Sequence, residues 1–96
     1  MLVLPLMAQL EAHDGSRFAA AVHGREREDG LWEGWLEFSS TGKHVVLRTE
    51  RETTQSTYDG LAYWASGLEP AYVEGAFERA QANVSQVADA APPESG

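Results

Sequence analysis

The sequence predicts an α+β domain: a three-stranded antiparallel β-meander followed by two α-helices packed on one sheet face (β-β-β-α-α). Three observations carry this. Apolar and polar residues alternate with period two between Arg17 and Thr49. The connections between these runs are short, which suits antiparallel pairing and not parallel crossovers. After Thr54 the apolar spacing changes to a helical one. The bulk properties agree. The chain has 96 residues, 43% of them apolar and 23% charged, enough for one modest core. The expected organisation is a poorly specified lead-in over 1–16, a single domain over 17–89 and a disordered tail over 90–96.

The lead-in is apolar from Met1 to Leu10 but is interrupted by Pro5. Residues 6–12 read as one helical turn or two, and Asp14-Gly15 as a turn. The first strand is expected over residues 17–23, where Phe18, Ala20 and Val22 alternate with Arg17, Ala19, Ala21 and His23. The charged segment between Gly24 and Gly30 reads as a solvated hairpin tip. The second strand is expected over residues 31–38. Trp32, Leu36 and Phe38 fall on one side of it, with Gly34 between them; Leu31, Glu33, Trp35 and Glu37 fall on the other. A five-residue loop follows, with Gly42 available for positive φ. The β-branched run from His44 to Thr49 supplies the third strand.

Ser56 and Asp59 resemble a capping box at the start of the first helix. Tyr58, Leu61, Ala62, Ala65 and Leu68 continue it, and Gly67 suits its end. Pro70 suits the first position of the second helix. There Tyr72, Val73, Ala76, Phe77, Ala80, Val84 and Val87 make one apolar stripe.

Composition excludes several function classes. The chain has no cysteine, hence no disulfide and no thiolate metal site; this suits a cytoplasmic protein. The Met1–Leu10 run is too short for a membrane span, and no membrane association is expected. The net charge is −8, with seven basic residues dispersed among fifteen acidic ones. Direct nucleic-acid binding is therefore disfavoured, because a polyanion needs clustered Lys and Arg. No phosphate loop, nucleophile elbow or closely spaced metal-ligating set is present. His13, His23 and His44 are well separated in sequence and read as strand-end residues. Glu33 and Glu37 share a strand face, as an acid/base pair might require, but also read as the polar side of an amphipathic strand. No catalytic residue, metal or cofactor is expected.

Two surfaces remain as candidates. If the helices cover the Trp32, Leu36 and Phe38 side, the other side keeps Ala19, Ala21, Leu31, Trp35 and Val46. It is more apolar than a solvated sheet face should be. Three occupancies are open: a protein partner or second copy, with Leu31, Trp35 and Val46 as the contact; cover by residues 1–12; or tolerated exposure. The second surface is the polar run from Arg48 to Gln55. There Arg48 and Arg51 could donate to an anion or peptide, supported by Thr53, Thr54 and Gln55.

The segments Asp29-Gly-Leu-Trp-Glu-Gly-Trp-Leu-Glu-Phe38, Leu47-Arg-Thr-Glu-Arg-Glu-Thr-Thr-Gln55 and Leu61-Ala-Tyr-Trp-Ala-Ser-Gly-Leu-Glu69 resemble a group of short bacterial proteins without an assigned activity. The resemblance covers residues 17–80 and implies no catalytic role for any of them. In element order the chain is also similar to small antitoxin domains of the partial RNase H kind, which would imply an acidic partner-binding protein. The leading expectation is a small protein-interaction module, a homodimer or the small subunit of a complex. The alternatives are a small-ligand or anion binder or enzyme using residues 48–55, and an acidic nucleic-acid mimic or antitoxin-like protein.

Overall fold

The computed structural model describes residues 1–42 and 44–90, with side chains to Asn83. The fold is α+β: an antiparallel sheet followed by two helices. The strands are β1 (Leu2–Glu11), β2 (Arg17–Glu26), β3 (Trp32–Ser40), β4 (Val46–Arg48) and β5 (Thr53–Gln55). The helices are α1 (Tyr58–Ser66) and α2 (Pro70–Ala90). The expected meander is present as β2–β3–β4, and the sheet has two strands more than expected.

The first addition corrects the lead-in. Residues 2–11 are not a helical turn but a ten-residue strand paired antiparallel with β2. The intervening turn places Gly15 at φ 88°. Pro5 is tolerated because β1 lies at the sheet edge, where a missing N–H breaks no ladder on its free side. The second addition lies at the opposite edge. Arg48 pairs with Glu37 and Thr53 with Gly34, so residues 49–52 oppose only residues 35 and 36. The surplus bulges out and divides one edge strand into β4 and β5. Across the bulge the ladder is kept by the Thr49 N–H donating to the Leu36 carbonyl at 2.9 Å. The Leu36 N–H in turn donates to Thr49 Oγ1 at 3.0 Å. Thr49 is buried, at 3% exposure.

Other boundaries move slightly. Residues 24–26 belong to β2, so the charged tip is shorter than expected. The N-cap of α1 is Thr57, one residue beyond Ser56, and its Oγ1 accepts the Gly60 N–H at 2.9 Å. Ala90 ends α2, and residues 91–96 of the expected tail lie outside the described residues, as do the side chains of Val84 and Val87.

Both helices cover one side of the sheet. The core joins Phe18, Ala20, Val22, Leu36, Phe38 and Leu47 of the strands to Leu61, Ala65, Val73, Ala76, Phe77 and Ala80 of the helices. The Phe77 ring sits between Phe18 and Phe38, with centroids 5.2 and 5.1 Å away in tilted contact. Tilted ring pairs add to what their buried area contributes. Trp32 departs from the expected core: it is half-buried and meets Tyr58 edge-on at 5.3 Å. Tyr72 also leaves the α2 stripe and turns outward to Glu52.

Gly24 and Gly34 are direct cross-strand partners on the covered side, and both are buried. Leu61, at 0% exposure, occupies the space above both. This glycine pair is the seat of α1 on the sheet. It lets the helix approach more closely than any side-chain pair would.

Candidate functional site

The side of the sheet away from the helices carries Ala19, Ala21, His23 and Arg25 from β2, Glu33, Trp35 and Glu37 from β3, and Val46 and Arg48 from β4. Their placement follows from the register with the buried residues between them. Residues 2–11 extend this sheet by edge pairing and do not lie across it. Cover by the N-terminal segment is thereby ruled out. Instead β1 enlarges the surface: Pro5 and Gln9 pair with Ala21 and Ala19, and Met7 between them is 100% exposed.

At the centre of the face three side chains converge on Glu37. Trp35 Nε1 donates to Glu37 Oε2 at 2.9 Å. Arg48 Nη2 lies 2.9 Å from the same oxygen, and His23 Nε2 lies 3.6 Å from Oε1. The register explains this: Glu37 is opposite Arg48, and Trp35 is opposite His23, on one face. The Arg48 guanidinium also lies 5.5 Å from the Trp35 ring centroid, in cation–π contact. Trp35 is therefore half-buried and held by both its indole edge and its ring face. Beside it, Arg25 Nε donates to Glu33 Oε2.

Among the described residues the face is electrically balanced. It carries Arg17, Arg25 and Arg48 against Glu11, Glu33 and Glu37, since Glu11 and Arg17 are partners in the same register phase. The chain as a whole carries −8. The excess negative charge therefore lies off this face.

The three expected contact residues are all partly or fully exposed but do not cluster. Leu31 lies between the 27–30 turn and β3, Trp35 is central, and Val46 is opposite Ser39 at the far end of the strand. A larger apolar group is formed by Ala19 and Ala21 of β2 with Pro5 and Met7 of β1, and Val46 lies one strand further on, separated from Ala19 by Ser39. Half of it went unread in the sequence because β1 did. The signal was available in the alternation of Leu4, Leu6, Ala8 and Leu10 with Pro5, Met7 and Gln9.

The residues of the polar run do not come together. Arg48 turns onto Glu37 on the open face, while Arg51 stands exposed on the bulge. Thr53 Oγ1 accepts from Gln55 Nε2 at 2.7 Å, and Thr54 is exposed opposite Glu33. Glu52 instead serves α2. It accepts from the Tyr72 hydroxyl and from Arg79 Nη2, the latter at 2.8 Å, and the Arg79 guanidinium lies 5.6 Å from the Tyr72 ring centroid. Burial, followed by the hydrogen bond and negative charge of Glu52, raises the Tyr72 phenol above its usual value.

His13 and His44 are exposed at different sites, and each of Glu33 and Glu37 is engaged by an arginine. Among the described residues no group of His, Asp and Glu could hold a metal ion, and no helix is long and apolar enough to cross a membrane. Comparisons with protein-family models, curated proteins and solved structures find no match.

Proposed function

We propose that this chain is a protein-interaction module that self-associates through the helix-free side of its sheet. The observation that carries the reading is the pairing of a balanced charge with uncovered apolar residues on one surface of a strongly acidic chain. Two copies that each carry −8 repel one another when other surfaces meet. Facing sheets on their neutral sides avoid most of that repulsion and bury Met7, Val46, Ala19 and Ala21. Two sheets packed in this way stand about 10 Å apart, with side chains of the inner faces interdigitated. The small Ala19 and Ala21 leave space for a larger side chain from the opposite copy. A stable interface of this kind covers about 800 Å² on each partner.

Size-exclusion chromatography with light scattering tests this. The chain of 10.5 kDa should elute at twice that mass. Ala19→Glu combined with Val46→Glu, both at exposed positions, should return it to the monomer without changing its circular dichroism. A monomer at about 100 µM, or a dimer indifferent to both substitutions, would sink the reading.

A further inference from the structure

Along the free edge of the sheet, a different surface has the form of a strand-binding groove. Among the described residues no strand lies beyond β1. Two depressions follow one another along this edge, each walled by β1 on one side and by helix on the other. The first, of about 430 Å³, lies between residues 4–8 and Ala65, Leu68 and Val73, and is predominantly apolar. The second, of about 280 Å³, lies between residues 9–11 and Glu74, Phe77 and Glu78. Successive β1 residues and successive α2 turns line the two in the same order, so they form one track. Its chemistry changes from apolar at the Leu4 end to acidic at the Glu11 end.

We propose that this track binds an extended segment of a partner protein, apolar along most of its length and basic at one end, as an added strand on β1. Strand addition to an exposed edge uses main-chain hydrogen bonds for affinity and side-chain pockets for specificity. Pro5 offers no N–H, and the β1 register against β2 shifts between Pro5 and Gln9, so the added ladder lies within residues 6–11 and is regular only from Gln9. The side chains of the segment that point toward the helices enter the space lined by Leu68 and Val73. Its basic end meets Glu74 and Glu78 of α2. Both are exposed, and neither forms an ion pair or hydrogen bond with another described side chain. Charge selects this occupant over a second copy pairing β1 with β1. A second copy would bring further acidic residues, Glu69 among them, against the same carboxylates.

The test uses fluorescence anisotropy with two labelled eight-residue peptides, VTVTVRTK and its reverse KTRVTVTV, which present the two possible strand directions. One of the two should bind saturably at low salt. Replacing its Arg and Lys by Glu should weaken binding about tenfold or more, and so should Glu74→Lys with Glu78→Lys in the protein. N-methylation of alternate peptide amides should abolish binding while leaving the side chains in place. Hydrogen exchange should show added protection at residues 6–11. The Ala19→Glu, Val46→Glu protein should bind the peptide unchanged, which separates this groove from the opposite sheet face. The proposal is overturned by no saturable binding up to about 1 mM, equal binding of the Glu-ended peptide, or indifference to N-methylation. It is also overturned if protection of β1 rises with protein concentration in the absence of peptide, since that assigns the edge to a second copy.

Discussion

Replacing Gly24 by Ala tests how α1 is seated. A Cβ on Gly24 would lie 2.6 Å from Leu61 Cδ2 and 2.9 Å from the Glu33 carbonyl oxygen. On Gly34 it would lie 2.6 Å from Leu61 Cδ1 and 3.3 Å from Thr53 Cγ2. Two effects oppose each other. Ala restricts the unfolded chain and adds about 0.4–1 kcal/mol of stability where the backbone tolerates it. Overpacking a closed core costs about 1–3 kcal/mol. Leu61 is fully buried and held against both glycines, so it cannot relieve one contact by moving toward the other. Overpacking should win. At Gly24 the second contact is a backbone oxygen, which yields less readily than the Thr53 methyl. The expected loss is therefore about 2 kcal/mol for Gly24→Ala and about 1 kcal/mol for Gly34→Ala. Guanidinium unfolding followed by tryptophan fluorescence measures both. Leu61→Ala alone should cost about 2–5 kcal/mol by leaving a cavity. Combined with Gly24→Ala it should cost less than the sum, by about 1 kcal/mol or more, because the new methyl enters that cavity. Strict additivity, or a Gly24→Ala protein as stable as the parent, would refute the reasoning.

Two further predictions concern the bulge and its contact with α2. Thr49→Val removes the acceptor of the buried Leu36 N–H with little change of shape; it should cost about 1–3 kcal/mol in the same unfolding assay. The Tyr72 phenol is raised in the folded protein by burial and by Glu52, so the folded state holds this proton more tightly than the unfolded one. Its contribution is complete below the unfolded value of about 10 and is lost as pH rises through the raised folded value. Thermal melts from pH 8 to pH 11 should show stability falling above pH 10, and Tyr72→Phe should make that fall shallower.

How much of this was legible depended on local signals. The alternation of Phe18, Ala20 and Val22, and of Gly34, Leu36 and Phe38, fixed the covered face, because a one-residue slip would expose the whole set. β1 was hidden by Pro5, which reads as a breaker everywhere except at a sheet edge. β5 was hidden by its length: Thr53, Thr54 and Gln55 become a strand only because β3 offers an unpaired edge after the bulge. Trp35 was placed on the correct side, but its half-burial is cross-strand. Nothing near it in sequence indicates that Arg48 will cover its ring, although Glu37 two residues on supplies the acceptor for its indole. Gly24 reads as the start of a turn, and only pairing with Gly34 under Leu61 gives it a packing role.

The distribution of charge gives the two proposed surfaces opposite responses to salt. The helix-free face is neutral within itself, whereas the rest of each copy carries the full excess of eight negative charges. Association through that face therefore proceeds against a long-range repulsion that its own contacts do not create. Added salt shortens the Debye length from about 30 Å at 0.01 M to about 8 Å at physiological ionic strength. It screens that repulsion and should leave association unchanged or strengthened. The β1 track attracts its segment through Glu74 and Glu78, both exposed, and the same screening weakens that attraction. A dimer that dissociates as salt is added would mean that the contacts across the sheets are themselves ionic, with Arg25 and Arg48 leaving Glu33 and Glu37 to pair with the other copy. The apolar residues would then not be the source of the affinity.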